Sequence, residues 1–142
     1  MASKIFVDTD VIIDYLTDRS PFANFATMLF ELHEQNKLII HVSSISINNV
    51  HYVARKLIGE KRAVDLIDDL VDRIELVATT KKEIKFAINT KFKDFEDAVQ
   101  YANAMTIKGI EAIVTRNIKD YKESKIAVFT PEVYLKTKLE ER

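Results

Sequence analysis

The chain has 142 residues, of which 47% are apolar and 30% charged, and 21 Lys and Arg against 22 Asp and Glu leave a net charge of −1. That length holds one domain burying roughly 68–70% of the unfolded chain's surface, and the near-neutral balance excludes a protein that coats nucleic acid by bulk electrostatics. With no Cys, disulfides, zinc ribbons and thiol nucleophiles are excluded, and the two glycines, Gly59 and Gly109, cannot build a phosphate-cradling loop or a dinucleotide fingerprint.

Taken in chain order, the N-terminus reaches Asp8 before an apolar stretch of signal-peptide length forms, so a cytoplasmic protein is expected. Strands are predicted over 5–7, 38–42, 74–77, 112–114 and 126–129, each a short apolar run of the kind that lies in a sheet covered on both faces. Helical periodicity fills the intervals at 11–16, 22–35, 47–58, 62–71, 81–89, 95–108 and 132–138. This alternation predicts an α/β protein, a three-layer α/β/α fold around a parallel sheet of 4–5 strands, with residues 1–142 forming one domain. Ser20-Pro21 and Thr130-Pro131 each place a hydroxyl cap before a proline at a helix start, and Thr80 to Glu83 forms a capping box. The uncharged stretch 38–54 carries Ser43, Ser46, Asn48, Asn49 and two His, so no membrane span is expected.

The first strand ends in Asp8-Thr9-Asp10. Ligands of an open parallel sheet bind beyond the carboxyl ends of its strands, which makes Asp8 the leading site candidate. The competing reading is that Asp8 or Asp10 caps the following helix. A second acidic group, Asp94, Glu96 and Asp97, opens the helix whose Ala98, Val99, Ala102 and Ala104 suggest close packing on the sheet. Asp94 and Asp97 share a helix face, and a capping pair is the competing reading there. The fourth strand leads into Thr115, Arg116, Asn117 and Asp120, a third polar loop at a strand end. Carboxylates gathered together call for a cation, and an oxygen donor set without His or Cys suits Mg²⁺ or Mn²⁺, whose bound water serves phosphodiester hydrolysis. Lys93, Arg116 and Lys119 are the cations placed to hold phosphates nearby. Phe92 and Phe95 are expected in the core, and Tyr121 is a candidate for stacking on a base.

In this order and spacing, Val7 to Asp14, the Arg19-Ser20-Pro21 turn, Asp94 to Ala98, and Ile113 to Tyr121 resemble a PIN domain over nearly the whole chain. The resemblance implies a metal-dependent ribonuclease with Mg²⁺ or Mn²⁺ at the carboxyl edge of the sheet, and many bacterial members are toxins paired with an antitoxin. Asp8 matches the family's first acid and Asp97 its third, the expected catalytic pair. The second falls on Asn49 and the fourth on Asn117, where an amide brings a carbonyl oxygen but no charge and no general base. On this reading Asp8, Asp97, Asn117 and Asp94 hold metal, with Thr9, Asp10, Asn49, Thr115 and Asp120 in support. Asp10, Asp94, Glu96 or Asp120 would compensate for the missing charge. RNA, an antitoxin protein and a second copy of the chain are the expected partners. Two alternatives stand beside it: a PIN fold that binds RNA or protein without cutting, and a haloacid-dehalogenase-like phosphatase with Asp8 as nucleophile and Asp10 as acid/base.

Overall fold

The computed structural model describes residues 2–140. Met1, Glu141 and Arg142 of the expected single domain lie outside them. The elements run β1 (Ser3–Val7), α1 (Thr9–Thr17), α2 (Ala23–Glu34), β2 (Leu38–Ser43), α3 (Ser44–Ile58), α4 (Glu60–Arg73), β3 (Glu75–Val77), α5 (Lys81–Ile88), α6 (Phe95–Met105), β4 (Ile110–Val114), a 3-10 turn (Ile118–Tyr121), β5 (Ala127–Phe129) and α7 (Pro131–Glu140). All neighbouring strands pair in parallel, in the order β3-β2-β1-β4-β5. The central β1 divides the core because its side chains alternate between faces. Ile5 and Val7 pack with α1, α2, α4 and α7 through Ile12, Leu29, Leu70 and Leu135. Phe6 turns the other way, onto Tyr101 and Ala104 of α6 with Ile113 and Tyr121. The predicted three layers result.

The structure corrects several local expectations. β3 and β5 are edge strands of three residues, and Glu75, Leu76 and Ala127 are exposed, so these two strands are not covered on both faces. Ile74 closes α4 instead of opening β3, its N–H donating to Leu70 O at 3.2 Å. Ser20-Pro21 does not begin a helix. Asp18 ends α1 in the left-handed region (φ 52°), and the chain reverses through a cis Ser20–Pro21 peptide before α2 starts without a side-chain cap. The short link between two packed helices places the proline in the reversal, two residues before Ala23. α6 ends at Met105 because Thr106 Oγ1 donates to Asn103 O at 2.7 Å, closing the last turn ahead of Gly109 (φ 79°). Its small residues serve two neighbours: Ala98, Val99 and Ala102 meet Ala87 of α5, while Ala104 meets the sheet.

The other two helix starts form as predicted. Thr80 N donates to Glu83 Oε1 at 2.8 Å in the capping box, and Thr130 Oγ1 accepts from Val133 N at 3.2 Å ahead of Pro131. Thr130→Ala should lower stability by about 1 kcal/mol, as loss of a hydroxyl cap does. Urea denaturation that leaves the midpoint unmoved would show that the proline alone sets this start.

Candidate metal centre at the carboxyl edge of the sheet

Asp8 follows the last residue of β1, and its N–H donates to Val114 O at 3.0 Å, which fixes it against the end of β4. Its carboxylate is held at both oxygens. Oδ1 accepts from Thr9 N at 2.7 Å, and Oδ2 accepts from the hydroxyl of fully buried Thr115 at 2.8 Å. Thr115 Oγ1 in turn accepts from Asn117 N at 3.1 Å, so the loop after β4 aims Asp8. Capping and site geometry therefore coincide in one side chain. Burial pushes the Asp8 carboxyl above the usual range, while Thr115, Thr9 and the nearby Tyr121 hydroxyl oppose it. Tyr121 itself is 1% exposed and its hydroxyl meets no partner at hydrogen-bond geometry, so it is a core residue rather than a platform for a base.

Asp94 caps α6, its Oδ1 accepting from Asp97 N at 3.0 Å, which gives Asp94 the structural role of the capping pair. Asp97 stands on the first turn of α6, where burial and then the charges of Asp8, Asp94, Asp120 and Glu96 push its carboxyl up to about 7. Asp8 is the nearest of these in effect, so strand end and helix start share one field. Asp10 is likewise pushed up to about 7, by burial and then by Asp8, against the Arg116 charge. Its Oδ2 accepts from Arg116 N at 3.2 Å and from Asn117 Nδ2 at 3.1 Å, and its buried Oδ1 has no partner among the described residues. Asn49 Nδ2 donates to Glu96 Oε1 at 2.9 Å. Burial, then Asp8 and Asp94, raise Glu96. Both neutral positions thus hand their amide protons to a neighbouring carboxylate.

Beside these acids lies a groove of about 420 Å³ lined by Lys91, Lys93, Lys119 and Lys122 together with Asp94 and Asp120. Lys93 and Lys119, expected to meet phosphate, both line it. Phe92 also reaches the groove, although its ring packs on Tyr101 at 4.9 Å between centroids. Phe95, expected in the core, is 53% exposed, because α6 turns its alanine face inward and this residue outward.

The PIN domain family matches residues 4–119 of the chain. The chain belongs to this family. It is 31% identical over 138 residues to Ribonuclease VapC1 of Aquifex aeolicus (strain VF5), covering 94% of each chain. Among solved structures it is similar to DNA-bound VapBC from Salmonella typhimurium (TM-score 0.68, 16% identity, 91% of this chain and 98% of that one). It is also similar to a toxin-antitoxin complex from Klebsiella pneumoniae (TM-score 0.66, 21% identity, 89% and 97%). These two likenesses carry the fold. The phosphatase reading of Asp8 and Asp10 is set aside by the PIN match.

In this PIN domain Thr9, expected in support of the site, is tied to two residues that sequence reasoning missed, Ser46 and Gln100. Thr9 Oγ1 donates to Ser46 Oγ at 3.0 Å, and Gln100 Nε2 reaches both, at 3.0 Å to Thr9 and 2.6 Å to Ser46. This buried knot ties α1, α3 and α6 together one residue from Asp8. The available signal was a glutamine in the alanine stripe of α6. Asp14 was equally legible as a carboxylate in an apolar helix. Its side chain is 1% exposed and takes a forked contact from Arg116, Nε to Oδ2 at 2.7 Å and Nη2 to Oδ1 at 3.3 Å. The same guanidinium lies 4.0 Å over the Phe22 ring. Arg116, expected as a phosphate contact, is therefore engaged inside the protein, because a buried Asp14 demands a counter-charge.

PIN domains are generally dependent on a divalent metal, and the donors here suit one in chemistry. They are carboxylates whose charges act on one another, with an orphaned buried Asp10 Oδ1 beside them. No three carboxylates or imidazoles among the described residues form a ready cage. No helix of the described residues is long and apolar enough to cross a membrane.

Proposed function

We propose that this PIN domain is a Mg²⁺- or Mn²⁺-dependent endoribonuclease and the cytoplasmic toxin of a toxin–antitoxin pair. What supports the reading is that the charge of Asp8, at the sheet's carboxyl edge, raises the carboxyl of Asp97 on the first turn of α6, beside a groove lined by four lysines. The name of the Aquifex relative, a ribonuclease, and the toxin–antitoxin complexes among the similar structures support it. Asp8 and Asp97 would hold the ion, with Asn117, whose amide donates to Asp10, on the loop that aims Asp8. When bound, a divalent ion lowers the pKa of a water and stabilises the oxygens of a phosphodiester under displacement.

The chain's own residues do the rest. Thr115 and the Thr9 N–H fix the direction of the Asp8 carboxylate, and the Thr9–Ser46–Gln100 knot fixes α6 and hence Asp97 against it. Lys91, Lys93, Lys119 and Lys122 attract the flanking phosphates and keep a strand beside the acids despite their negative field.

Incubation of the purified chain with labelled single-stranded RNA, with Mg²⁺, Mn²⁺ or EDTA, tests the activity. Cleavage with either ion and none with EDTA is expected. RNA binding without cleavage under every condition would instead favour the non-cutting PIN reading that the neutral Asn49 and Asn117 motivate. Lys93→Ala and Lys119→Ala should each weaken RNA binding and lower the salt dependence by about one counterion. A slope unchanged in both variants would move the RNA path elsewhere.

A further inference from the structure

We propose that a second groove, at the Asn117 loop, is a nucleobase subsite in which Phe22 stacks an unpaired base of the RNA strand and Glu132 selects guanine. The inference rests on the ribonuclease reading above. The groove has about 410 Å³ and is walled by Pro21 and Phe22 of the α1–α2 link, Phe25 of α2 and Pro131 at the start of α7. Arg116 and Asn117, from the loop after β4, complete it. Asn117 N donates to Thr115 Oγ1 at 3.1 Å and Thr115 donates to Asp8, so the groove opens two hydrogen bonds from the candidate metal centre. The lysine groove is built on the same stretch of chain, through Lys119, Asp120 and Lys122. One loop rooted on Asp8 thus contributes to both grooves, and a strand held along the lysines at the acids has the second groove beside it.

The two grooves divide the chemistry of a nucleotide between them. The first presents four ammonium groups, which suit phosphate. No lysine lines the second, and the one cation among its lining residues, Arg116, is engaged in the forked contact with buried Asp14. An anion finds no partner there, whereas a flat apolar ring does. The Arg116 guanidinium lies 4.0 Å over the Phe22 ring, yet Phe22 stays 38% exposed. A base laid on that remaining surface extends a stack the guanidinium has begun, and stacking of this kind accepts any base. Selection falls to the polar rim. Exposed Glu132 offers a carboxylate, and Asn117, with its amide nitrogen on Asp10 Oδ2 at 3.1 Å, keeps its carbonyl oxygen as an acceptor. Acceptors call for a base edge made of donors. Guanine presents its N1–H and amino group side by side to a carboxylate, whereas uracil sets a carbonyl oxygen on each side of its single N–H.

Binding of labelled single-stranded RNA decamers to the full chain in EDTA tests this, one decamer all uridine and the other carrying a single central guanosine. The wild type should prefer the guanosine decamer about fivefold, the lower end of what a paired contact to a base edge gives. Glu132→Ala should bring that preference below about twofold, since the accepting carboxylate is gone. Phe22→Leu, which keeps an apolar side chain beside Arg116, should weaken both decamers about tenfold with the salt dependence unchanged, because a lost stack releases no counterion. Phe22→Tyr should bind both within about twofold of the wild type, its ring being retained. Thermal melts verify that each variant is folded. Lys93→Ala and Lys119→Ala, measured on the same decamers, report on the underlying reading. If they weaken binding while Phe22→Leu leaves it intact, the subsite is wrong and the RNA path along the lysines stands. Equal wild-type binding of the two decamers would overturn the selection by Glu132. If the wild type binds neither decamer, the ribonuclease reading fails and the subsite with it.

Discussion

Asp8→Asn and Asp97→Asn should each reduce RNA cleavage on the order of 100- to 1,000-fold while making the metal-free protein more stable. The loss follows from removing a charged ligand of the divalent ion that would stabilise the phosphodiester oxygens under displacement. The gain has the opposite origin. Asp97 is pushed up to about 7 by burial and by Asp8, Asp94, Asp120 and Glu96, and Asp10 to about 7 by burial and Asp8. A carboxyl raised in the folded state holds its proton between about pH 4 and pH 7 while the unfolded chain has released it, so stability falls as pH rises through that window. Removing the Asp97 charge should return about 1–3 kcal/mol at pH 7.5, with allowance for screening of a partly exposed group. Thermal melts from pH 4.5 to 8 without metal should show the wild type losing stability across the window and Asp97→Asn losing less. Mn²⁺ should flatten the wild-type slope, because a cation among the carboxylates keeps them ionised in the folded state. A metal-free wild type equally stable at both ends would mean that the acids do not share one field.

Arg116→Ala should lower stability by about 3 kcal/mol, the range for stranding a buried charge. Asp14 lies on α1 among Val11, Ile12 and Ile13, and burial raises its carboxyl even with the Arg116 guanidinium in place. Arg19 stands 3.8 Å away as a weaker second partner. Arg116→Lys should recover only part of the loss, since an ammonium cannot reproduce the forked contact or the packing over Phe22. The paired change Asp14→Leu/Arg116→Met should restore most of it, as apolar replacement of a buried pair does. Urea denaturation separates these outcomes. A destabilisation below about 0.5 kcal/mol for Arg116→Ala would show that solvent reaches Asp14.

The fold was legible because each strand and helix announces itself within a few residues: apolar runs for the strands, 3.6-residue periodicity and capping chemistry for the helices. The reversal at Ser20-Pro21 was not, because the same dipeptide serves a helix start or a turn, and only the packing of α1 on α2 decides. Edge and centre strands are indistinguishable for the same reason, since sheet order is a property of the assembled chain. Asp8 and Asp97 could be named from their places at a strand end and a helix start. Gln100 and Ser46 could not, because their contact joins positions 54 residues apart in sequence. Arg116 looked like a phosphate contact while its partner Asp14, 102 positions away, was still unplaced. Glu96 was readable as a compensating acid, but its tie to Asn49 required the crossing of α3 and α6.

The central claim is that Asp8 and Asp97 together make a divalent-cation site. Calorimetric titration of the wild-type chain, Asp8→Asn and Asp97→Asn with Mn²⁺ at pH 7.5 tests it most directly. Measurable binding by the wild type and its loss in both variants, each still folded by thermal melt, is the predicted result. Binding that persists unchanged in both variants would contradict it.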